Sequence, residues 1–195
     1  MNNEGLTIEE RKAQVLIKLR KYKLIKREDN QEAISYIVKT PKDKEKILIW
    51  CFLGGVTVGI VLMNALYKTM KKKGIERVIT ITEGRYTHAV KKGAKERNEE
   101  AEKKGAKFRP VELLPTTFPV FEIFNHILVP RHEILTEEEK NQILAEYKLQ
   151  PYQMPHIKAI DPVVKAIGAL PGDVLRIIRK SQTAGEHISY RYVVE

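Results

Sequence analysis

An α/β domain followed by a smaller α+β domain is the architecture this sequence predicts, and three observations predict it. Helix-like and strand-like patterns interleave through the first 113 residues. An uncharged stretch with two prolines, Leu113-Leu-Pro-Thr-Thr-Phe-Pro119, then interrupts them. Beyond it, two helix signals precede two runs rich in branched and aromatic residues. The expected domains are therefore residues 1–113 and 119–195, with the proline-bearing stretch as the junction.

In the first domain, Thr7 with Glu10 forms a capping box. Val15, Leu16, Leu19 and Tyr22 follow at helical spacing, which predicts a basic amphipathic helix from about Ile8 to Tyr22. Ala33 to Lys39 alternates like a strand, and Thr40-Pro41-Lys42-Asp43-Lys44 is a turn. Ile47 to Leu53 is a fully apolar strand. Met63, Leu66, Tyr67 and Met70 mark a helix that ends at Lys73, with Gly74 as its cap. Arg77 to Thr82 is a third strand, and His88 to Lys104 a charged helix with few apolar anchors.

In the second domain, Thr136 with Glu139 is another capping box. Ile143, Leu144 and Tyr147 then predict a helix from about Glu137 to Lys148, and Pro151 and Pro155 forbid a longer one. Asp161 caps a short helix with Pro162 at its first position and Gly168 at its end. Val174 to Arg179 and Ile188 to Val194 are strands, joined by a loop over Ser181 to Glu186. Ile188, Tyr190, Tyr192 and Val194 alternate with His187, Ser189 and Arg191, which predicts one buried and one wet face.

Composition bounds the function. With 43% hydrophobic and 31% charged residues, the chain is expected to be a folded soluble protein. Its single cysteine, Cys51, excludes an internal disulfide and suits a reducing compartment. The N-terminal Met-Asn-Asn-Glu-Gly lacks a secretory signal pattern, so a cytoplasmic location is expected. Residues 1–115 carry 26 Lys/Arg against 15 Asp/Glu, a net +11; residues 116–195 carry 9 against 10, a net −1. The excess positive charge thus lies wholly in the first part, which is suited to meet a polyanion.

The second domain carries a dense set of motifs in one order. They are Leu128-Val-Pro-Arg-His132, Thr136-Glu-Glu138, Asp161-Pro-Val163, Pro171-Gly-Asp-Val174, Ile177-Ile-Arg179, Ser181-Gln-Thr-Ala-Gly-Glu186 and Tyr190-Arg191. Residues 126–194 on these grounds resemble the H-type subunit of archaeal DNA-directed RNA polymerase and the C-terminal assembly domain of the eukaryotic fifth shared polymerase subunit. The resemblance implies a non-catalytic subunit that docks on the C-terminal part of the largest subunit and supports assembly of the enzyme. It implies Pro130, His132, Asp161, Pro162, Val163, Gly168, Thr183, Gly185, Tyr190 and Arg191 as subunit-interface candidates.

The first domain is similar to the jaw domain of the eukaryotic subunit. The similarity lies in Val58-Gly-Ile60 before a helix, Ile75-Glu-Arg-Val-Ile-Thr-Ile81, and Tyr86-Thr87 opening another helix. Where that family has Thr-Pro-Ser-Ala, this chain has Thr87-His88-Ala89. The similarity implies a nuclease-like topology and a place near downstream duplex DNA. Lys71, Lys72, Lys73, Arg85, Thr87, Lys91, Lys92 and Lys95 are the candidates for DNA contact. They sit on a helix end, a loop and a helix start that are expected to lie near each other. No aromatic residues interleave for base stacking, so backbone contact independent of sequence is expected.

Other chemistries leave weaker traces. Residues 47–67 contain no charged side chain, and Gly55-Val-Thr-Val-Gly59 fits a membrane-helix packing motif. A membrane-anchored interaction protein is thus one alternative, although Gly54-Gly55 divides the run into strand, turn and helix start. A stand-alone nucleic-acid-binding protein is the other. Gly54 to Gly59 spaces glycines like a phosphate loop, but Ile60-Val61 stands where Lys and Ser/Thr are needed. The histidines, His88, His126, His132, His156 and His187, form no zinc pattern, and no nucleophile motif is present. A metal-dependent nuclease needs carboxylates on its strand pair. The strands over 33–39 and 47–53 carry none, and Asp43 and Glu45 lie in the turn between them. Neither catalysis, metal nor cofactor is expected.

Overall fold

The computed structural model describes residues 5–30, 33–41, 45–106, 108–181 and 185–195. The chain forms two units, residues 1–121 and 122–195, each with its own sheet.

Helix α1 (Ile8–Leu19) opens the first unit, and both halves of the Thr7/Glu10 capping box are made. It stops three residues before the expected Tyr22, because Lys21 takes a left-handed φ of 53°. The chain then enters an unexpected strand, β1 (Lys23–Asp29). Its sequence hid it. β1 is an edge strand, largely exposed, and a bulge between Leu24 and Lys26 breaks its alternation.

β2 (Ala33–Lys39) and β3 (Lys46–Phe52) pair antiparallel with each other, and β1 pairs antiparallel with β2. β2 is buried on both faces rather than alternately, as befits a strand inside the sheet. Lys42, Asp43 and Lys44 of the predicted turn lie outside the described residues. Gly54 and Gly55 then turn the chain with φ of 75° and 63° into α2 (Ile60–Lys73). The uncharged 47–67 stretch is therefore strand, turn and helix. No helix among the described residues is long and apolar enough to cross a membrane.

β4 (Arg77–Thr82), α3 (His88–Lys103) and β5 (Val111–Leu113) complete the unit. The sheet order is β1-β2-β3-β4-β5, with β3, β4 and β5 parallel. α1 packs on β3 and β4. α2 and α3 cover the opposite face, where Leu48, Phe52, Met63, Leu66, Val78, Val90 and Val111 share one core.

The expected junction at 113–119 belongs to the first unit. Leu114 and Phe118 are buried, and the Leu114 amide donates to the Thr80 carbonyl. Its apolar Leu114 and Phe118 pack into the first unit, while Thr116 and Thr117 between them are exposed.

The second unit holds a four-stranded sheet in the order β6-β8-β9-β7. Its strands are β6 (Arg131–Ile134), β7 (His156–Lys158), β8 (Val174–Ser181) and β9 (Gly185–Val194). β6 and β7 are short and were not expected. Helix α4 (Glu137–Tyr147) forms its capping box and ends where Lys148 turns left-handed. Helix α5 (Pro162–Ile167) starts on Asp161 and ends on left-handed Gly168.

The forecast of one buried and one wet face fails in β9. Val193 is buried, whereas Ile188, on the face expected to be buried, is 50% exposed. α5 packs on one face, over Leu175, Val193, Ile134 and Ile157. Ile143 and Leu144 of α4 pack on the other, over Val174, Tyr190 and Tyr192. Burial thus varies along the strand, from a covered C-terminal end to an open hairpin end. The predicted loop is also too long, since Gly185 and Glu186 pair with Ser181 and Lys180.

Candidate subunit-docking and nucleic-acid interfaces

The basic candidates of the first unit lie along α2, α3 and the loop before α3. The Val58 amide donates to the Arg85 carbonyl, and the Thr87 amide to the Val58 carbonyl. α2 and α3 therefore start side by side. They continue side by side, with the Arg97 guanidinium 3.9 Å from the Tyr67 ring centre. Arg85, Lys91 and Lys92 lie at the shared start, and Lys95 lies half-way along α3. Lys71, Lys72 and Lys73 lie at the far end of α2, about 18 Å away at 1.5 Å per helical residue. The expected single cluster is thus spread along the helix pair, with Lys71, Lys72 and Lys73 at the end opposite Arg85, Lys91 and Lys92.

Their environments differ too. Lys71, Lys72, Arg85, Lys91, Lys92 and Lys95 are exposed. Lys92 and Lys95 lie 3.9 and 3.8 Å from Glu96 and Glu99, one turn on. Lys73 instead forms an ion pair with Glu28 on β1. Hydrogen bonds from Lys26 and Lys73 hold the Glu28 carboxyl down at about 2. The Thr87 hydroxyl accepts from the Val90 amide and caps α3, so its first role is structural.

Two buried cations brace this unit. Lys12 joins Glu83 and the Thr116 carbonyl, tying α1 to the segment after β5. Arg20 makes two bonds, 2.8 and 2.7 Å, to the Glu112 carboxylate on β5. Burial works to lower the Arg20 pKa, but the Glu112 charge and hydrogen bond, with help from Tyr22, carry it above its ordinary value. Sequence reading missed both pairs, because Glu83 and Glu112 are remote from α1 in the chain.

Glu45 lies 3.7 Å from Arg77, and Asp43 is outside the described residues. Burial raises the pKa of the Cys51 thiol, which suits a packed side chain better than a nucleophile. Among the described residues no three His, Cys, Asp or Glu side chains gather as a metal site requires.

In the second unit, several interface candidates build local structure. Asp161 accepts from the Val163 amide at 2.8 Å, Pro162 opens α5, and Gly168 closes it. The Pro130 carbonyl accepts from His132 Nδ1 at 2.8 Å. Burial lowers the His132 pKa, opposed by Pro130 and Asp161 and reinforced by Arg179 and Arg191.

Register gathers the remainder on the sheet. His132 pairs with Ile177 and Ile177 with Ser189; Arg191 pairs with Leu175, and Arg179 with His187. One face therefore carries His132, Arg179, His187 and Arg191. The opposite face carries Tyr190, whose ring lies 6.3 Å from that of Tyr147, beside Ile188. Arg191 donates to the His156 carbonyl at 3.0 Å. Thr183 lies outside the described residues, and Gly185 opens β9. Sequence reading overlooked Arg179, His187 and the exposed apolar Ile127, Leu128 and Ile160. The run Ile127-Leu128 before Pro130 was a readable signal.

The second unit is thus a small four-stranded sheet flanked by α4 and α5 on opposite faces. Residues 121–193 match the family described as RNA polymerase Rpb5, C-terminal domain. DNA-directed RNA polymerase subunit Rpo5 of Pyrococcus abyssi is 59% identical over 75 residues, 38% of this chain and 92% of that protein. The Rpo5 proteins of Thermococcus kodakarensis, at 57% over 75 residues, and Staphylothermus marinus, at 58% over 72, match likewise. They share 38% and 37% of this chain and 92% and 79% of their own. The chain belongs to the Rpo5 family of DNA-directed RNA polymerase subunits. Residues 1–120 lie outside the family match.

Proposed function

We infer that this chain is a non-catalytic subunit of an archaeal-type DNA-directed RNA polymerase, working in the cytoplasm. The observation that carries this is the 57–59% identity of its second part to Rpo5 subunits, across nearly their whole length. The second unit docks on the C-terminal part of the largest subunit and keeps the assembly together. Polymerisation belongs to the large subunits.

The first unit, in this reading, is the jaw-type domain with nuclease-like topology, and it meets downstream duplex DNA. Its net charge and the exposed cations where α2 and α3 start support that role. Contact is with phosphates and carries no sequence preference. A stand-alone nucleic-acid-binding role does not account for the family match. An anchor through 47–67 does not account for a strand, turn and helix in that stretch.

The test is reconstitution of the full chain with the large polymerase subunits. The chain is expected to co-elute with them, and an enzyme that assembles fully without it would refute the assembly role.

A further inference from the structure

We propose that the outer edge of β9, from Glu186 to Tyr190, receives an added β-strand from another polymerase subunit, one that alternates acidic and apolar residues. The proposal rests on the assembly role inferred above and names the surface that performs it.

β9 has ten residues, but β7 pairs only with Tyr192, Val193 and Val194. The ladder stops for a covalent reason. The Tyr192 amide donates to the Pro155 carbonyl, and the Ala159 amide to the Val194 carbonyl. Even-numbered residues of β9 therefore face the β7 side. The next even residue, Tyr190, would need a donor from position 155, and Pro155 has no N–H.

Odd-numbered residues face β8. The Val193 amide donates to the Asp173 carbonyl, and Gly172 donates to that of Val193. The β8–β9 register runs without a shift from Val174↔Tyr192 to Ser181↔Gly185. By the alternation of an antiparallel ladder, the N–H and C=O of Glu186, Ile188 and Tyr190 all point outward. None of these six groups has a backbone partner among the described residues. Glu186, His187 and Ile188 are exposed.

The side chains flanking this edge differ by face. His187 and Arg191 stand on one, with Arg179 beside His187. Glu186, Ile188, half exposed, and Tyr190 with its neighbour Tyr147 stand on the other, where Lys180 pairs with Glu186 and Arg176 with Tyr190. A strand added here meets His187 and Arg191 on one face and Ile188 and Tyr190, with Glu186 at the hairpin end, on the other, which calls for carboxylates opposite Arg191 alternating with apolar residues opposite Ile188 and Tyr190. A second copy of this edge would bring its own His187 and Arg191 and fits less well. β1 of the first unit, also an edge, is kept from pairing by its bulge and by Lys23, Lys26, Arg27, Glu28 and Asp29.

The test uses the full chain reconstituted with the large polymerase subunits. Ile188→Pro removes one outward N–H that the β8 ladder does not use, so the fold is expected to persist, with melting within a few degrees of the parent. Capture of the subunits is expected to fall at least tenfold. Ile188→Ala, which keeps the N–H, is expected to lose less. In the parent chain, the Glu186, Ile188 and Tyr190 amides are expected to exchange rapidly when free and slowly when assembled. The Ser189 and Arg191 amides are expected to be slow in both states.

Capture by a folded Ile188→Pro chain equal to the parent's, or unchanged exchange at the three amides, overturns the edge and leaves the assembly role standing. Protection appearing in the chain alone at twice its mass overturns it in favour of a second copy. Failure of the parent chain to capture any subunit removes the assembly role, and this proposal with it.

Discussion

Replacing Glu112 with leucine takes the carboxylate from the Arg20 guanidinium, whose side chain is only 4% exposed, between α1 and β5. The pair is bidentate, and Tyr22 faces the guanidinium as well. Removing one partner of a buried ion pair costs about 3–5 kcal/mol, and the 21% exposure of Glu112 argues for the lower end. For a unit of this size, about 3 kcal/mol lowers the melting temperature by roughly 12 °C. Arg20→Met with Glu112→Leu removes both charges and supplies apolar bulk, so most of the loss is expected to return. Chemical denaturation of the four chains of this cycle gives the coupling directly. A loss below about 1 kcal/mol for Glu112→Leu, in the range of an exposed pair, would refute the reasoning. A double variant no better than the single one would do the same.

Three other outcomes are expected. Leu175→Ala empties a fully buried site under α5 and should cost about 2–5 kcal/mol, read as a shifted denaturation midpoint of the second unit with unchanged slope. The depressed Glu28 pKa contributes stability that is fully present above about 4.5 and lost as pH falls through about 2. Lys73→Gln should therefore raise that pKa, seen by carboxyl NMR titration, and move acid destabilisation to higher pH. Arg85→Gln, Lys91→Gln and Lys92→Gln together should flatten the salt dependence of duplex binding by up to about 2.7 in log–log slope. Lys73→Gln alone should leave that slope unchanged, because Lys73 already holds Glu28.

Local chemistry made much of the fold legible. Capping boxes at Thr7 and Thr136, the Asp161-Pro162 start and the Gly74 and Gly168 ends mark helices through neighbours within four residues. β1, β6 and β7 escaped notice because edge strands need not bury an apolar face, and two of them are only three or four residues long. The failed alternation in β9 has a different origin. Two helices cover opposite faces at one end only, which depends on how the whole unit packs.

The candidate docking residues were legible through motifs and the arrangement of the candidate DNA-contact residues only in part. Asp161, Pro162 and Gly168 were marked by motifs, yet they shape α5. Arg179 and His187 join His132 and Arg191 only through strand register. The basic residues of 71–95 were readable as charges but not in their spread along the helix pair. The length of α2 and its parallel neighbour α3 set that spread. The Arg20–Glu112 and Lys12–Glu83 pairs bridge 92 and 71 residues of sequence, beyond any local pattern.

The central claim is membership of the polymerase assembly, and stoichiometric capture tests it most directly. The full chain carrying an affinity tag is mixed with the separately prepared large polymerase subunits, and the recovered complex is weighed by native mass spectrometry. The account predicts one copy of this chain per enzyme, bound to the largest subunit through residues 122–195. Recovery of the chain free of those subunits, or held to them only through residues 1–121, would contradict it.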